Sequence, residues 1–385
     1  MASVWGENEP VSDSPERALT RKLYLARQRT EEGRKAVAVL PIHYPKELFT
    51  ALGLLAVELW GPPGPPLGPG AGRLQPYVCA LARNALAFLT SGGADLVDAA
   101  LFPHTCDSIQ GLATLLKDLG GFDRPTLTFL HPRGPGRPSA LSYLDEELRT
   151  FATSLEALSG APLDPERLLS AVRLHDEIDL ARAALLDSRA RLAMGDKELY
   201  ALLRRGEWLW PEDHLAELRG ARGRLAEGPV VPGIPILVSG YVPEPPAVLE
   251  ALNRAGAYVC ADDYAAVGRR VVRSPPGGPS NQDPFARISE RYLALPPCPT
   301  RGTDTELRVR HLVDLAERSG ARGVLLHVVK FCEPELFDVP ILRRAFATRG
   351  LPVLFLEGEL EKELAAQAVT RIEAFVEMIS AGRAA

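Results

Sequence analysis

The sequence is poor in cysteine and in aromatic residues, and it has no long apolar run. Its five cysteines, Cys79, Cys106, Cys260, Cys298 and Cys332, lie scattered through 385 residues, too sparse for a disulfide framework. No CxxC pair occurs among them, which excludes a zinc ribbon. No apolar stretch approaches the ~20 residues of a membrane-spanning helix. Residues 1–10 contain Glu7 and Glu9 and no apolar centre, so they do not read as a secretory signal, and a cytoplasmic location is expected. Basic residues are not in excess either. Lysine and arginine number 44 against 49 acidic residues, a net charge of −5, which leaves no electrostatic footprint for nucleic acid.

What is present is an ordinary soluble composition, 46% hydrophobic and 24% charged, in a chain long enough for about two or three domains. Residues 17–34 read as a charged amphipathic helix. Residues 36–41, apolar and ending at Pro41, read as a buried strand. A helix is expected over 47–60, a Pro/Gly-rich loop over 61–72 and a helix over 78–90. Strands are then expected at 96–102 and 126–130, with a helix at 109–119 between them. Strands alternating with helices of this length predict a parallel sheet.

From about residue 142 the pattern changes. Leucine and alanine dominate, charges are interleaved, and helices are expected over 144–158, 164–192, 198–205 and 210–222. Asp164 and Pro165 suit the start of the second. The alternating pattern returns with strands at 234–239, 257–261, 323–329 and 351–356, and helices at 247–255, 303–319, 337–349 and 365–380. The expected architecture is α/β: an N-terminal helical segment over 1–35, a first flavodoxin- or Rossmann-like parallel-sheet domain over 36–140, a helical region over 141–229 and a second parallel-sheet domain over 230–385.

Ligands of open α/β sheets bind beyond the carboxyl ends of the strands. Cys106 follows the strand at 96–102, Cys332 follows that at 323–329, and Asp262 and Asp263 follow that at 257–261. Cys79 lies near a helix start. Helix N-termini favour thiolates, and thiolates bind soft metals and iron–sulfur clusters. Cys260 reads as core filler inside a strand, and Cys298, on the proline-rich loop Pro296-Pro-Cys-Pro299, as a candidate ligand or a loop thiol. His43 and Glu47 follow the first strand and are candidates for substrate contact, Glu47 also as a helix-start residue. His104, two residues before Cys106, is a candidate proton donor. Lys330 is placed to stabilise anionic sulfur or to serve as a surface lysine. His131, His175 and His214 read as structural or exposed. Gly240-Tyr-Val-Pro lacks the GxGxxG pattern, which disfavours a dinucleotide site.

The stretch Val329-Lys-Phe-Cys-Glu-Pro-Glu-Leu-Phe-Asp-Val-Pro-Ile-Leu-Arg343 resembles a hallmark segment of the 2-hydroxyacyl-CoA dehydratase / benzoyl-CoA reductase family. Further similar segments follow in family order: Pro45-Lys-Glu-Leu-Phe-Thr-Ala-Leu-Gly53, Cys79-Ala-Leu-Ala-Arg83, Thr105-Cys-Asp-Ser108, residues 257–263 and residues 367–378. The resemblance spans the chain from about residue 36 and is nearest to the smaller, β-type subunit. It implies a 4Fe–4S cluster held by Cys79, Cys106 and Cys332. It also implies a paralogous subunit or a second copy as partner, and a separate ATP-hydrolysing iron–sulfur activator that delivers a low-potential electron. The implied substrate is an acyl-CoA, either dehydrated through a ketyl radical or reduced in an aromatic ring. The residue after Cys79 is alanine where the family often has serine, and Gln110 stands where arginine is frequent. These departures leave the choice of reaction open. Alternatives are a double-cubane-type reductase of the same fold, which needs more thiolates, a non-catalytic partner subunit, and a metal-free small-ligand binder.

Overall fold

In the computed structural model, residues 21–61, 74–119, 121–134, 137–192, 194–223, 232–275 and 283–382 are described. Outside them lie residues 1–20, nearly all of the Pro/Gly-rich loop expected over 61–72, and the tail of the helical region at 224–229.

The chain begins with helix α1 (Arg21–Thr30) and strand β1 (Ala36–Val39). All four β1 side chains are fully buried, as an inner strand of a parallel sheet requires. The helix expected over 47–60 is instead a short helix, α2 (Lys46–Ala51), and a strand, β2 (Leu55–Glu58). Gly53, at φ +68°, makes the break, because the left-handed turn that ends α2 is open to glycine at little cost. Helix α3 (Ala80–Thr90), β3 (Ala99–Pro103), α4 (Asp107–Leu119) and β4 (Thr126–Phe129) complete a four-stranded parallel sheet in the order β2-β1-β3-β4.

The middle of the chain is helical: α5 (Pro138–Ser159), α6 (Pro165–Asp187), α7 (Asp196–Arg204) and α8 (Pro211–Arg222). Then follow β5 (Ile234–Gly240), α9 (Ala247–Arg254), β6 (Ala257–Tyr264), α10 (Pro284–Leu293), α11 (Thr305–Ser319), β7 (Gly323–Val329), α12 (Glu333–Ala347), β8 (Val353–Gly358) and α13 (Ala366–Ala381). The second sheet is also parallel and four-stranded, in the order β6-β5-β7-β8. Gly240 closes β5 where a Cβ would stand 1.9 Å from the carbonyl oxygen of His327, so only glycine fits there.

The chain forms two compact units. One comprises Met1–Asp179, Arg205–Leu215 and Val272–Leu295; the other comprises Leu180–Arg204, Ala216–Val271 and Pro296–Ala385. The expected linear succession of a sheet domain, a helical region and a second sheet domain therefore differs from the grouping by contact. The helices over 141–229 are shared between the two units, and α10, unforeseen in the sequence, belongs to the first. Its apolar residues Ile288 and Tyr292 join Val37, Leu101, Phe129 and Phe151 in the first core. Each such buried side chain contributes about 1.5–3 kcal/mol relative to exposure. The second core gathers Leu237, Leu312, Val324, Leu326, Leu342 and Phe346 around β7.

Candidate functional site

Three cysteines stand immediately before helices. Cys79 is the N-cap of α3, Cys106 precedes α4, and Cys332 is the N-cap of α12. Each one's carbonyl accepts the first helical N–H, from Arg83 at 3.2 Å, Gln110 at 3.0 Å and Leu336 at 3.0 Å. Cys106 and Cys332 also hold equivalent places in the two sheets. In the first sheet the strand order reverses between β1 and β3, and in the second between β5 and β7. Open α/β folds bind ligands at that switch point. Cys106 follows β3 and Cys332 follows β7.

In the first unit, Cys106 and Cys79 lie near enough to affect each other's ionisation. Burial pushes the Cys106 thiol up to about 11, and the neighbouring Cys79 adds to the push. The backbone N–H groups of Ile109 and Ser108 oppose it by hydrogen bonding to the sulfur. In the unbound chain burial thus outweighs the helix start, against the expectation of a thiolate. A metal cation at this sulfur would reverse that balance, since a coordinating thiol is deprotonated by the metal's charge.

The same edge carries the other first-unit candidates. His43 is buried, with its backbone in the left-handed region at φ +55°. Its ring meets those of His131 and Tyr292 at centroid distances of 5.0 and 6.1 Å. Glu47 lies in the first turn of α2, as expected of a helix-start residue, but it is buried and ion-paired with Arg291 of α10. Arg291 also binds Asp176, 2.9 Å from Nε, and Asp179, so Glu47 is held within a buried ion cluster. His104 is half-buried, and its N–H donates to Phe129 O at 2.9 Å. His131, His175 and His214 are all buried. His175 Nε2 is 2.9 Å from Thr50 Oγ1.

In the second unit, Phe331 adopts φ +63°, a turn that costs a non-glycine residue about 1–2 kcal/mol and delivers Cys332 to the start of α12. A buried ion cluster lies one helical turn further on. Glu335 accepts from Arg269 Nη2 at 3.2 Å and from Arg308 Nη2 at 2.7 Å. Arg269 Nε donates to Asp263 at 3.0 Å, and Ser239 Oγ donates to the same carboxylate at 2.7 Å. Asp262 and Asp263 therefore do not project beyond their strand: β6 continues through both to Tyr264, and both are buried. The strand runs on because Asp263 has these partners and Asp262 accepts the N–H groups of Tyr264 at 3.0 Å and Gly268 at 2.7 Å.

The remaining second-unit cysteines are differently placed. Cys260 lies inside β6 as expected, 3.5 Å from Ser319 Oγ. Cys298 is buried, with its sulfur 3.0 Å from Thr300 Oγ1 and 3.8 Å from Arg269 Nη1. Lys330 is exposed, 3.8 Å from Glu359. Arg269, Arg291, Tyr292, Arg308 and Glu335 do not stand out in the sequence, and His131 reads there as no more than structural or exposed. Asp283-Pro284 was the available signal for α10, since Asp283 caps the helix by accepting from Phe285 N–H at 3.1 Å.

Among the described residues no three His, Cys, Asp or Glu side chains gather as a metal-binding group. Cys79 and Cys106 belong to one unit and Cys332 to the other. Within the first unit the donor chemistry suits a soft metal: two thiols at helix starts, with two backbone N–H groups directed at the Cys106 sulfur.

Two like-ordered parallel sheets, each with a thiol following the strand at its switch point, define a two-domain α/β protein. The sequence matches the 2-hydroxyglutaryl-CoA dehydratase D-component family over residues 41–379, and the chain belongs to that family. It is 25% identical to the lactoyl-CoA dehydratase subunit beta of Anaerotignum propionicum, over 98% of this chain and 99% of that protein. It is 24% identical to the (R)-2-hydroxyglutaryl-CoA dehydratase subunit beta of Acidaminococcus fermentans, over 98% and 100%. It is also 25% identical to a subunit of the benzoyl-CoA reductase of Thauera aromatica, over 84% and 85%. No described helix is long and apolar enough to cross a membrane.

Proposed function

We propose that this chain is the iron–sulfur, β-type subunit of a cytoplasmic, low-potential radical enzyme acting on CoA thioesters. The reaction is dehydration of a 2-hydroxyacyl-CoA or reduction of an aromatic acyl-CoA. The observation that supports this most is the pairing of Cys106 and Cys332, at the same point of two like-ordered sheets in a chain of this family. Cys79, Cys106 and Cys332 would hold a 4Fe–4S cluster. When bound, that cluster supplies electrons at a potential low enough for a thioester carbonyl. The chain's own part is to present three thiolates, to donate the Ser108 and Ile109 N–H groups near Cys106, and to keep water from the edge that His43 and Glu47 line. The partners in this reading are a paralogous subunit or a second copy, and an ATP-hydrolysing iron–sulfur activator.

The test is anaerobic reconstitution followed by iron and sulfide analysis. About four iron per chain is expected. Cys79→Ser, Cys106→Ser and Cys332→Ser should each lose most of it. Cys260→Ser should retain it, and so should Cys298→Ser, whose sulfur is occupied with Thr300 and Arg269. A wild-type chain that takes up no iron, or full retention in any of the first three variants, overturns the assignment.

A further inference from the structure

β8 is an edge strand of the second sheet, whose order is β6-β5-β7-β8. The crossover β5-α9-β6 runs one way along this sheet and β7-α12-β8 the other, so right-handed connections put α9 and α12 on opposite faces. The packing agrees: α12 meets α11, whereas α13 meets α9. α12 and α13 therefore flank the β8 edge from the two faces of one sheet.

Each turns an unpartnered face outward. On α12, Phe337 is 75% and Ile341 48% accessible, one turn apart, and Pro340, Arg343 and Arg344 beside them are exposed. Pro340, Arg343, Arg344 and Ala347 join Leu351 and Val353 around a surface hollow of about 680 Å³. Neither arginine pairs with a carboxylate among the described residues, although nearby Arg349 reaches Glu317 at 3.7 Å. The outward face of α13 carries the opposite sign. Glu373 and Glu377, one turn apart, are exposed and pair with no cation among the described residues. Met378, 53% accessible, and Ala374 lie beside them. The basic residue of this helix, Arg371, is engaged, donating to Phe355 O on β8 at 2.7 Å.

The two charge pairs also stand at one height. Arg343 and Arg344 border the hollow at Leu351 and Val353, the amino end of β8. Arg322, at the amino end of β7, donates to Ile379 O at 2.8 Å, which places Glu377 at the same end of the sheet. A two-fold axis beside β8 and parallel to it exchanges the faces of the sheet and preserves height. It sets α12 of each copy beside α13 of the other, arginine pair against glutamate pair.

We propose that the β8 edge, flanked by α12 and α13, is the contact between two copies of this chain, with Met378 of each copy seated in the hollow of the other. Phe337, Ile341 and Met378 supply the apolar centre of this contact and the four charges its rim. The second copy also covers an otherwise open sheet edge. The proposal concerns assembly and does not depend on the cluster: iron content tests that reading, and sedimentation tests this one.

The experiment is sedimentation of the purified full-length chain, alone and with its paralogous subunit. The wild-type chain alone should be a dimer. Arg343→Glu with Arg344→Glu, and separately Glu373→Arg with Glu377→Arg, should each raise the dissociation constant about 100-fold or more, because like charges then face each other. All four positions are exposed, so the variants should keep the wild-type circular dichroism. Mixed one to one, the two variants should pair about as tightly as wild type, since each offers the sign that the other lacks. The chain with all four substitutions should dimerise again. A monomeric wild type, or a dimer that neither variant weakens, overturns the proposal. So does a wild type that is monomeric alone and uses these residues only to bind the paralogous subunit.

Discussion

The two units share a strand order and a thiol at the switch point but differ in what surrounds that thiol. In the first unit, Cys106 is dominated by burial, which holds its proton on. In the second, α12 is anchored within one turn of Cys332 by Glu335, lodged between Arg269 and Arg308. Topology thus decides where a thiol can stand, and the side chains beneath it decide its chemistry. Buried arginine–carboxylate clusters occur in both units, but in the first the cluster ties α10 to α2 and α6, at a distance in sequence from either cysteine.

The largest expected break in this comparison is at Glu335. Glu335→Gln leaves two buried guanidinium groups facing Asp263, and breaking such a buried pair costs about 3–5 kcal/mol. Urea unfolding monitored by hydrogen exchange should show the loss in the second unit, with the first unit's strands unchanged. Equal weakening of both would remove the separation of the two units.

A middle-sized effect concerns pH. Burial pushes Glu335 up, but Arg269 and Arg308 outweigh it and hold the carboxyl at about 2. Its contribution to stability is therefore present above its ordinary pKa of about 4.5 and is lost as pH falls toward 2. Asp262 has the opposite sign. Burial raises it to about 6, so its contribution is greatest below about pH 4 and declines as pH rises through 6. In a stability–pH profile, Asp262→Asn should flatten the slope between about pH 4 and 6, and Glu335→Gln the slope below about 4.5. A profile unchanged by either substitution contradicts these environments.

The smallest effect is at Lys330. Its contact with Glu359 is long and exposed, so Lys330→Gln should change stability by no more than about 0.5 kcal/mol and leave iron retention intact. Loss of iron would show instead that this lysine supports the Cys332 sulfur.

Much of this molecule could be read in the sequence. The runs that form β1, β3 and β7 are apolar on both faces and bounded by turn residues, so period and length agree. The helix at Cys79 was expected from residue 78 and starts at Ala80, whereas the helix after Cys332 was expected only from residue 337 and starts at Glu333. β2 was not foreseen, because Leu54-Leu-Ala-Val-Glu-Leu-Trp60 suits a helix as well as a strand, and only the geometry at Gly53 separates the two. The carboxylates of β6 looked like the end of a strand because their arginine and serine partners come from distant elements. The ring group of His43, His131 and Tyr292 was hidden for the same reason. Its members are distant in sequence, and one sits on a helix preceded by a Pro/Gly-rich stretch.

The grouping of Val272–Leu295 with the first unit bears on the order in which the protein is made. A ribosome that has finished β4 has released all four strands of the first sheet, yet Arg291, Tyr292 and the rest of α10 are still to be translated. About three-quarters of the 385 residues must emerge before that unit holds its last helix. Until then the surface destined for Ile288 and Tyr292 lacks its cover on the nascent chain. No single cut in the chain yields either unit whole.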